Sequence, residues 1–296
     1  MDLGLHGKAA LLIGAGRGLG GAAALTLARE GCNVAVVARS REAVEARAAA
    51  CKNAGAPRAL AITADATDPA QLKRAIQTTA DELGGLDILV TLVGGSTPGG
   101  TADLVSADWE AAYERNLWPA IRASRYALPL LIESAARRGF ATASGARSRY
   151  PAPGGEQPVV GAMLRTPAPV PVPREASVIL HVASIWGREG GGALTYNTAK
   201  AALIALAHEQ ARELAPRGVR VLSLAPGSIL HPGGSWEKRL QKDPVGTTAF
   251  VQREIPFGRF GTAEEAGDAI AFLVSPRASW IAGACVVIDG GQSRSF

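Results

Sequence analysis

Tyr196 and Lys200 stand four positions apart at the end of the stretch Ser184–Lys200, SIWGREGGGALTYNTAK. On a helix that spacing puts both side chains on one face. An ammonium held so close lowers the proton affinity of the phenol, and a phenol tuned in this way passes protons near neutral pH. Ser184 follows the apolar run VILHVA, which reads as a buried strand, so its hydroxyl is delivered to the same neighbourhood. A tyrosine and a lysine at this spacing also occur on ordinary surface helices. Their meaning depends on the elements that position them.

The first of those elements lies at the amino-terminal end. Lys8 to Ile13 is a short apolar run that meets the glycine cluster Gly14-Ala-Gly-Arg-Gly-Leu-Gly20, and a helix-forming run follows. Strand, tight glycine turn and helix start form an arrangement whose backbone approaches a diphosphate closely and whose free N–H groups favour an anion. The spacing Gly14-x3-Gly18-x-Gly20 differs from the general G-x-G-x-x-G fingerprint. The second strand, Asn33 to Ala38, runs into Arg39 and Ser40, where an acidic residue would bind the ribose 2′-hydroxyl of NAD. With Arg17 of the glycine turn, these residues suit a 2′-phosphate instead, which favours NADP(H) over NAD(H). The arginines also read as solvated surface charges.

Strands and helices then alternate. Glu42 to Ala54 is an alanine-rich helix, and Ala59 to Ala64 a strand ending at Asp65-Ala66-Thr67. Asp68-Pro69-Ala70-Gln71 opens the next helix with an aspartate cap and proline in the first turn. Leu86 to Val93 is apolar almost throughout, as expected of a parallel strand covered on both faces. Asp108 to Arg138 reads as one long helix containing Asn116, kinked near Pro119. Residues 140–175 break the rhythm with proline and glycine and read as an insertion. Ser177 to Ala183, Gly218 to Leu224 and Cys285 to Ile288 complete the strands, and Ser228 to Pro256, with Trp236 and Phe250, reads as a long polar segment. Thr262-Ala-Glu-Glu265 is a capping box for the last helix. The expected fold is α/β: a Rossmann-type, doubly wound, mainly parallel seven-stranded sheet with helices on both faces, one domain over residues 1–296.

Composition narrows the classes. With 296 residues, 47% hydrophobic and 19% charged, the chain has ample core and is not disordered. The net charge of +5 comes without a basic cluster interleaved with aromatics, so nucleic acid is not an expected partner. No apolar run has the length of a membrane span, and the amino terminus reads as a first strand rather than a leader. Three dispersed cysteines, Cys32, Cys51 and Cys285, fit a reducing, cytoplasmic setting; Cys32 and Cys285, beside strand-like runs, read as small buried hydrophobes, and no metal is expected.

Taken together, Gly14-x3-Gly18-x-Gly20, Asp65, Asn116, Ser184, Tyr196-x3-Lys200, Pro226-Gly227 and Asp289-Gly290-Gly291 resemble the short-chain dehydrogenase/reductase family in its compact branch. The resemblance spans nearly the whole chain outside roughly 140–175 and is closest in look to 3-oxoacyl-[acyl-carrier-protein] reductase-type members. It implies hydride transfer between a nicotinamide and a carbonyl or secondary alcohol, such as a 3-oxoacyl thioester or similar ketone. Tyr196 would then be the general acid or base, and Lys200 would lower its pKa and bind the nicotinamide ribose. Ser184 would hold the carbonyl, and Asn116 would position a water in a proton relay. The cofactor would be lined by Gly14, Arg17, Gly18, Leu19, Gly20, Arg39, Ser40, Asp65, Ala66, Gly94, Tyr196, Lys200, Pro226, Gly227 and Ile229. A homodimer or homotetramer is implied by the same analogy.

Three positions depart from the family pattern. Its Asn-Asn-Ala-Gly at the fourth strand's end is Thr91-Leu92-Val93-Gly94 here, and Ser184 to Tyr196 is one residue short of the usual spacing. After Pro226-Gly227 the usual threonine is replaced in function by Ser228 or the backbone at Ile229. His231, Trp236 and Arg239 read either as substrate-facing or as packing and solvated residues. A non-catalytic dinucleotide-binding sensor or assembly protein is the alternative on the same fold, against which the intact Tyr196, Lys200, Ser184 and Asn116 weigh.

Overall fold

The structure, a computed structural model, describes residues 1–95, 103–140 and 176–295. All of the expected insertion except Phe140 therefore falls outside the described residues.

Seven parallel strands form one sheet. In chain order they are β1 (Ala9–Ile13), β2 (Asn33–Ala38), β3 (Ala59–Thr63), β4 (Ile88–Thr91), β5 (Ser177–Val182), β6 (Val219–Pro226) and, at the far edge, the last strand Cys285–Ile288. A two-residue pair, β7 (Ile229–Leu230) and β8 (Gly261–Thr262), lies apart, so the last strand is β9. The sheet order is β3-β2-β1-β4-β5-β6-β9, the doubly wound Rossmann-type arrangement expected. Its direction of winding reverses between β1 and β4, and open α/β sheets bind ligands beyond the strand ends at such a reversal.

Side-chain alternation on the strands decides which helix packs where. Ala10, Leu12, Val34, Val36, Val90 and Leu180 face one layer, made by α1 (Gly18–Arg29), α2 (Arg41–Ala54) and α9 (Ala263–Val274). Leu11, Ile13, Val37, Leu89, Ile179 and Val221 face the other, made by α3 (Pro69–Leu83), α5 (Trp118–Arg137) and α6 (Leu194–Leu214). Both layers are largely apolar, which is why the strand sequences read as near-continuous hydrophobic runs. Cys32 and Cys51 belong to the first layer.

The expected caps form. Asp68 Oδ1 accepts from the N–H groups of Ala70 and Gln71 at 2.8 and 3.0 Å. Thr262 and Glu265 exchange side-chain and backbone bonds at the start of α9.

One expectation is corrected. The single helix over Asp108–Arg138 is two helices, α4 (Ser106–Asn116) and α5, broken at Leu117, whose φ and ψ are −124° and −53°. Pro119 lies in the first turn of α5, where its missing N–H costs nothing. The long polar segment Ser228–Pro256, for which no elements were expected, holds α7 (Ser235–Lys242) and α8 (Pro244–Glu254). Trp236 of α7 stacks on Phe250 of α8 at 4.7 Å and tilts against Phe260 at 5.1 Å, with the Arg239 guanidinium 5.2 Å from the Trp236 ring. No helix of the described residues is long and apolar enough to cross a membrane.

Candidate active site

The glycine turn leaves β1 at Gly14 and enters α1 at Gly18. The turn is held against the second strand, since the N–H groups of Gly14 and Ala15 both donate to the Val37 carbonyl. Gly20 is required by close packing: a Cβ there would lie 2.6 Å from the Gly14 carbonyl oxygen. Arg17 is the N-cap of α1, yet no side chain caps this helix and its first turn holds no acidic residue. Its leading N–H groups are thus left to an outside acceptor, and the helix end carries partial positive charge. By contrast, α2, α3, α8 and α9 are each capped by a side chain.

The turn forms the shared wall of two clefts at the carboxyl ends of the strands. The larger, of about 830 Å³, reaches over β2 and β3 and is lined by Arg39, Ser40, Asp65, Ala66 and Thr67 among others. The smaller, of about 500 Å³, is lined by Gly18, Leu19, Gly20, Ser184, Tyr196, Lys200, Pro226, Gly227 and Ile229. Gly14, Arg17 and Gly94 line both. Every residue expected to line a cofactor therefore lies on one of the two clefts. Ser40 has a second task, because its Oγ caps α2 by accepting from Ala43 N at 3.2 Å; its hydroxyl proton is still free to donate. The Asp65 carboxylate is turned to the backbone N–H and hydroxyl of Thr67, at 2.9 and 2.8 Å, and those bonds hold its pKa below the usual carboxylate range.

At the other end of the smaller cleft, β5 delivers Ser184 and the first turns of α6 deliver Tyr196 and Lys200. Ser184 is almost fully buried and starts a 3-10 turn, accepting from Trp186 N at 3.2 Å. Ser184 and Tyr196 both line the smaller cleft, and the Ser184 hydroxyl lowers the proton affinity of the Tyr196 phenol. Lys200 is buried, donates to the Val182 carbonyl at 3.1 Å, and its Nζ lies 5.7 Å from the centre of the Tyr196 ring.

Burial raises the pKa of the Tyr196 phenol, with the Ser184 hydroxyl pulling the other way. The ammonium is aimed at a backbone carbonyl, and burial pushes its own pKa down to about 8.

Asn116 is buried as the last residue of α4. Its Nδ2 donates to the Ala112 carbonyl and its Oδ1 accepts from Gly95 N, both at 3.0 Å. It therefore ties the helix break to the end of β4. Gly94, at φ +157°, is the meeting point: a Cβ there would fall 2.9 Å from Asn116 Oδ1 and 3.0 Å from Lys200 Nζ. Only a residue without a side chain fits between them.

The departure at the end of β4 has a partner across the sheet. Thr91 and His181 are directly paired in the β4–β5 register, and the Thr91 hydroxyl lies 2.7 Å from His181 Nδ1. His181 Nε2 lies 3.1 Å from Gln210 Oε1 of α6 and 3.4 Å from Ser124 Oγ of α5. A Gln carbonyl oxygen only accepts, so Nε2 carries the proton and Nδ1 takes one from the threonine. This wholly buried ring joins two strands and two helices just beneath Lys200. Burial pushes its pKa down to about 4, assisted by Lys200 and opposed by Gln210. Sequence reading passed over His181 because it sits inside an apolar run, where only the register of β4 against β5 reveals its partner. Trp186, His231 and Trp236 also line the smaller cleft; Arg239 instead lies over the Trp236 and Phe250 rings.

Comparison with known proteins adds to this geometry. A short chain dehydrogenase family model matches residues 8–150, and an enoyl-(acyl carrier protein) reductase model matches residues 158–293. The chain is similar to the 3-oxoacyl-[acyl-carrier-protein] reductase FabG of Vibrio cholerae, with 30% identity over 97% of this chain and 98% of the relative. It is also similar to the short-chain reductase protein NovJ of Streptomyces niveus, with 28% identity over 96% of this chain and 93% of the relative. Among solved structures, L-sorbose reductase from Gluconobacter frateurii, complexed with NADPH and L-sorbose, superposes with a TM-score of 0.80 at 26% identity, each chain covered fully. A 7α-hydroxysteroid dehydrogenase complexed with NADH and 7-oxo glycochenodeoxycholic acid superposes with a TM-score of 0.78 at 25% identity, over 99% of this chain and 97% of that one.

Proposed function

The chain belongs to the short-chain dehydrogenase/reductase family of nicotinamide-dependent oxidoreductases acting on carbonyl and CH–OH groups, and on that premise we propose that it is an NADP(H)-dependent reductase of a ketone, such as a 3-oxoacyl thioester. The observation that carries the proposal is the gathering of Ser184, Tyr196 and Lys200 on one cleft that begins at an uncapped helix start, with the Lys200 ammonium 5.7 Å from the centre of the Tyr196 ring.

The cleft suits a dinucleotide. Gly14, Gly18, Leu19 and Gly20 offer backbone to a diphosphate, and Asp65 and Ala66 flank the adenosine side. Arg17, Arg39 and Ser40 sit where a 2′-phosphate would be met, and β2 ends without an acidic residue. Pro226, Gly227 and Ile229 wall the nicotinamide side. When bound, the nicotinamide supplies or accepts the hydride. The relatives named above do not share one cofactor, so the NADP(H) preference rests on this chain's own arginines.

Within that site the protein's residues handle the proton and the charge. In reduction, Tyr196 donates its phenolic proton to the carbonyl oxygen as alkoxide charge develops there. The Ser184 hydroxyl donates to the same oxygen and fixes its position. The buried Lys200 ammonium supplies positive charge beside the phenol and reaches the nicotinamide ribose. Asn116, through its bonds to Ala112 and Gly95, anchors the loop that faces Lys200 and holds a water of the proton path. Proton transfer by a positioned acid contributes about 10²–10⁴ in rate. The protein works as one domain, in a homodimer or homotetramer in the cytoplasm, on a small-molecule substrate.

The test is a screen of carbonyl substrates with NADPH and NADH, and of alcohols with NADP⁺ and NAD⁺, followed at the absorbance of the reduced nicotinamide. Turnover of a ketone with a clear preference for NADPH is expected. Preference for NADH would overturn the cofactor assignment, and absence of turnover across 3-oxoacyl thioesters and simple ketones would overturn the substrate class.

A further inference from the structure

Between Ser184 and Tyr196 the chain runs through Gly190-Gly191-Gly192. Glycine gives up more conformational freedom on folding than any other residue, so the order of this run must come from what touches it. Its last residue, Gly192, lines the smaller cleft together with Ala193, Trp186 and Tyr196. The Trp186 ring packs on the run: a Cβ on Gly191 would enter the indole, and one on Gly192 would fall 3.1 Å from its Cδ1. Asn197 of α6 sets its Oδ1 against Gly192 and donates from Nδ2 to the Glu189 carbonyl at 3.4 Å.

The Glu189 side chain binds elsewhere, on the segment that follows β9. One carboxylate oxygen, Oε2, accepts from the backbone N–H groups of Arg294 and Ser295, each at 2.8 Å. Hydrogen bonds to an ionised acceptor are roughly twice as strong as neutral ones. The segment is itself anchored. The Asp289 carboxylate accepts from Gly291 N at 2.9 Å and from Ser293 N at 2.7 Å. The buried Gln292 accepts through Oε1 from Ser228 N at 2.8 Å, directly after Pro226 and Gly227, which line the same cleft. Residues 289–295 thus tie two walls of the cleft together, one through Gln292 and the other through Glu189.

We infer that Glu189 is a positioning residue for the carbonyl substrate: by gripping Arg294 and Ser295 it fixes the glycine run whose end walls the cleft beside Tyr196. The inference rests on the ketone-reductase reading above. Loss of the grip leaves Tyr196 and Lys200 on α6 and Ser184 at the end of β5. It also leaves the glycine turn, where the dinucleotide reading places the diphosphate. What it frees is the wall made by Gly192 and Ala193. A freed wall spends only part of its time in the arrangement that accepts the ketone, and apparent affinity falls by that fraction. The cost therefore falls on the ketone and spares the cofactor.

The test compares the wild type with Glu189→Ala, Glu189→Gln and Ser295→Pro, using acetoacetyl-coenzyme A and ethyl acetoacetate as ketone probes and NADPH fluorescence to follow cofactor binding. Glu189→Ala should raise KM for the probe by about tenfold and leave NADPH affinity within about twofold. Glutamine keeps an oxygen that accepts both N–H groups, so Glu189→Gln should restore KM to within about threefold. Ser295→Pro removes one of the two donors and leaves Glu189 intact; it should also raise KM, and combining it with Glu189→Ala should add little. If Glu189→Ala does not fold, KM in Ser295→Pro decides alone. Unchanged KM with only a smaller active fraction, or an equal loss of NADPH affinity, would overturn the role of Glu189. A wild type that reduces neither probe would instead overturn the ketone-reductase reading itself.

Discussion

Acidification should destabilise the protein in a window set by one histidine. Of the four histidines, His6, His208 and His231 reach solvent, while His181 is wholly buried. In the fold its ring is neutral, with Nδ1 accepting from Thr91 and Nε2 donating to Gln210, and its pKa lies at about 4 against an ordinary 6.5. The unfolded chain therefore binds a proton between those two values that the folded chain refuses. Stability from this group is complete above pH 6.5 and is lost as pH falls through the window to about 4. At about 1.4 kcal/mol per pH unit, the gap amounts to about 3 kcal/mol. Carboxylates add their losses lower down; Glu265, held by Arg259, titrates at about 2. Urea unfolding of the wild type at several pH values, beside His181→Gln, isolates the effect. Glutamine keeps a donor and an acceptor but does not titrate, so its stability should be flat from neutral pH to about pH 5, at a lower starting value. Parallel pH profiles for the two proteins would refute the reasoning.

Other consequences are equally direct. Gly94→Ala places a methyl against Asn116 Oδ1 and Lys200 Nζ at a φ of +157°, and should cost about 1–3 kcal/mol in thermal unfolding together with most of the turnover; an unaffected enzyme would show that this junction tolerates displacement. Arg39→Ala should raise KM for NADPH by about tenfold or more while leaving that for NADH within about twofold, as read from initial rates with both cofactors. Burial holds the Cys32 thiol at about 12 and Cys51 at about 11. Neither should be alkylated by iodoacetamide at neutral pH in the folded protein, as mass spectrometry before and after denaturation would report.

The sheet was legible because parallel strands buried on both faces leave uninterrupted apolar runs, and each run found here is a strand. The capped helix starts at Asp68 and Thr262 were legible because a cap is decided within four residues. Features decided across the sheet were not. The loss of the family's asparagines at Thr91 looked like a missing contact until the register set His181 opposite it. The helix pair α7–α8 was hidden because it is held by Trp236 against Phe250 and Phe260, contacts too distant in sequence for any short periodicity to register. The break at Leu117 was read as a kink, since proline marks where a helix is disturbed but not whether the two halves remain joined. The spacing of Tyr196 and Lys200 pointed to two residues that line one cleft, yet their proton affinities follow chiefly from burial, which spacing does not encode.

The account turns on Tyr196 as the proton donor, and Tyr196→Phe tests this most directly when turnover and cofactor binding are measured on the same preparation. Removing one hydroxyl from the cleft should lower kcat by about 10²–10⁴ while NADPH binds with wild-type affinity. Near-normal turnover in a variant that still binds NADPH would contradict the assignment.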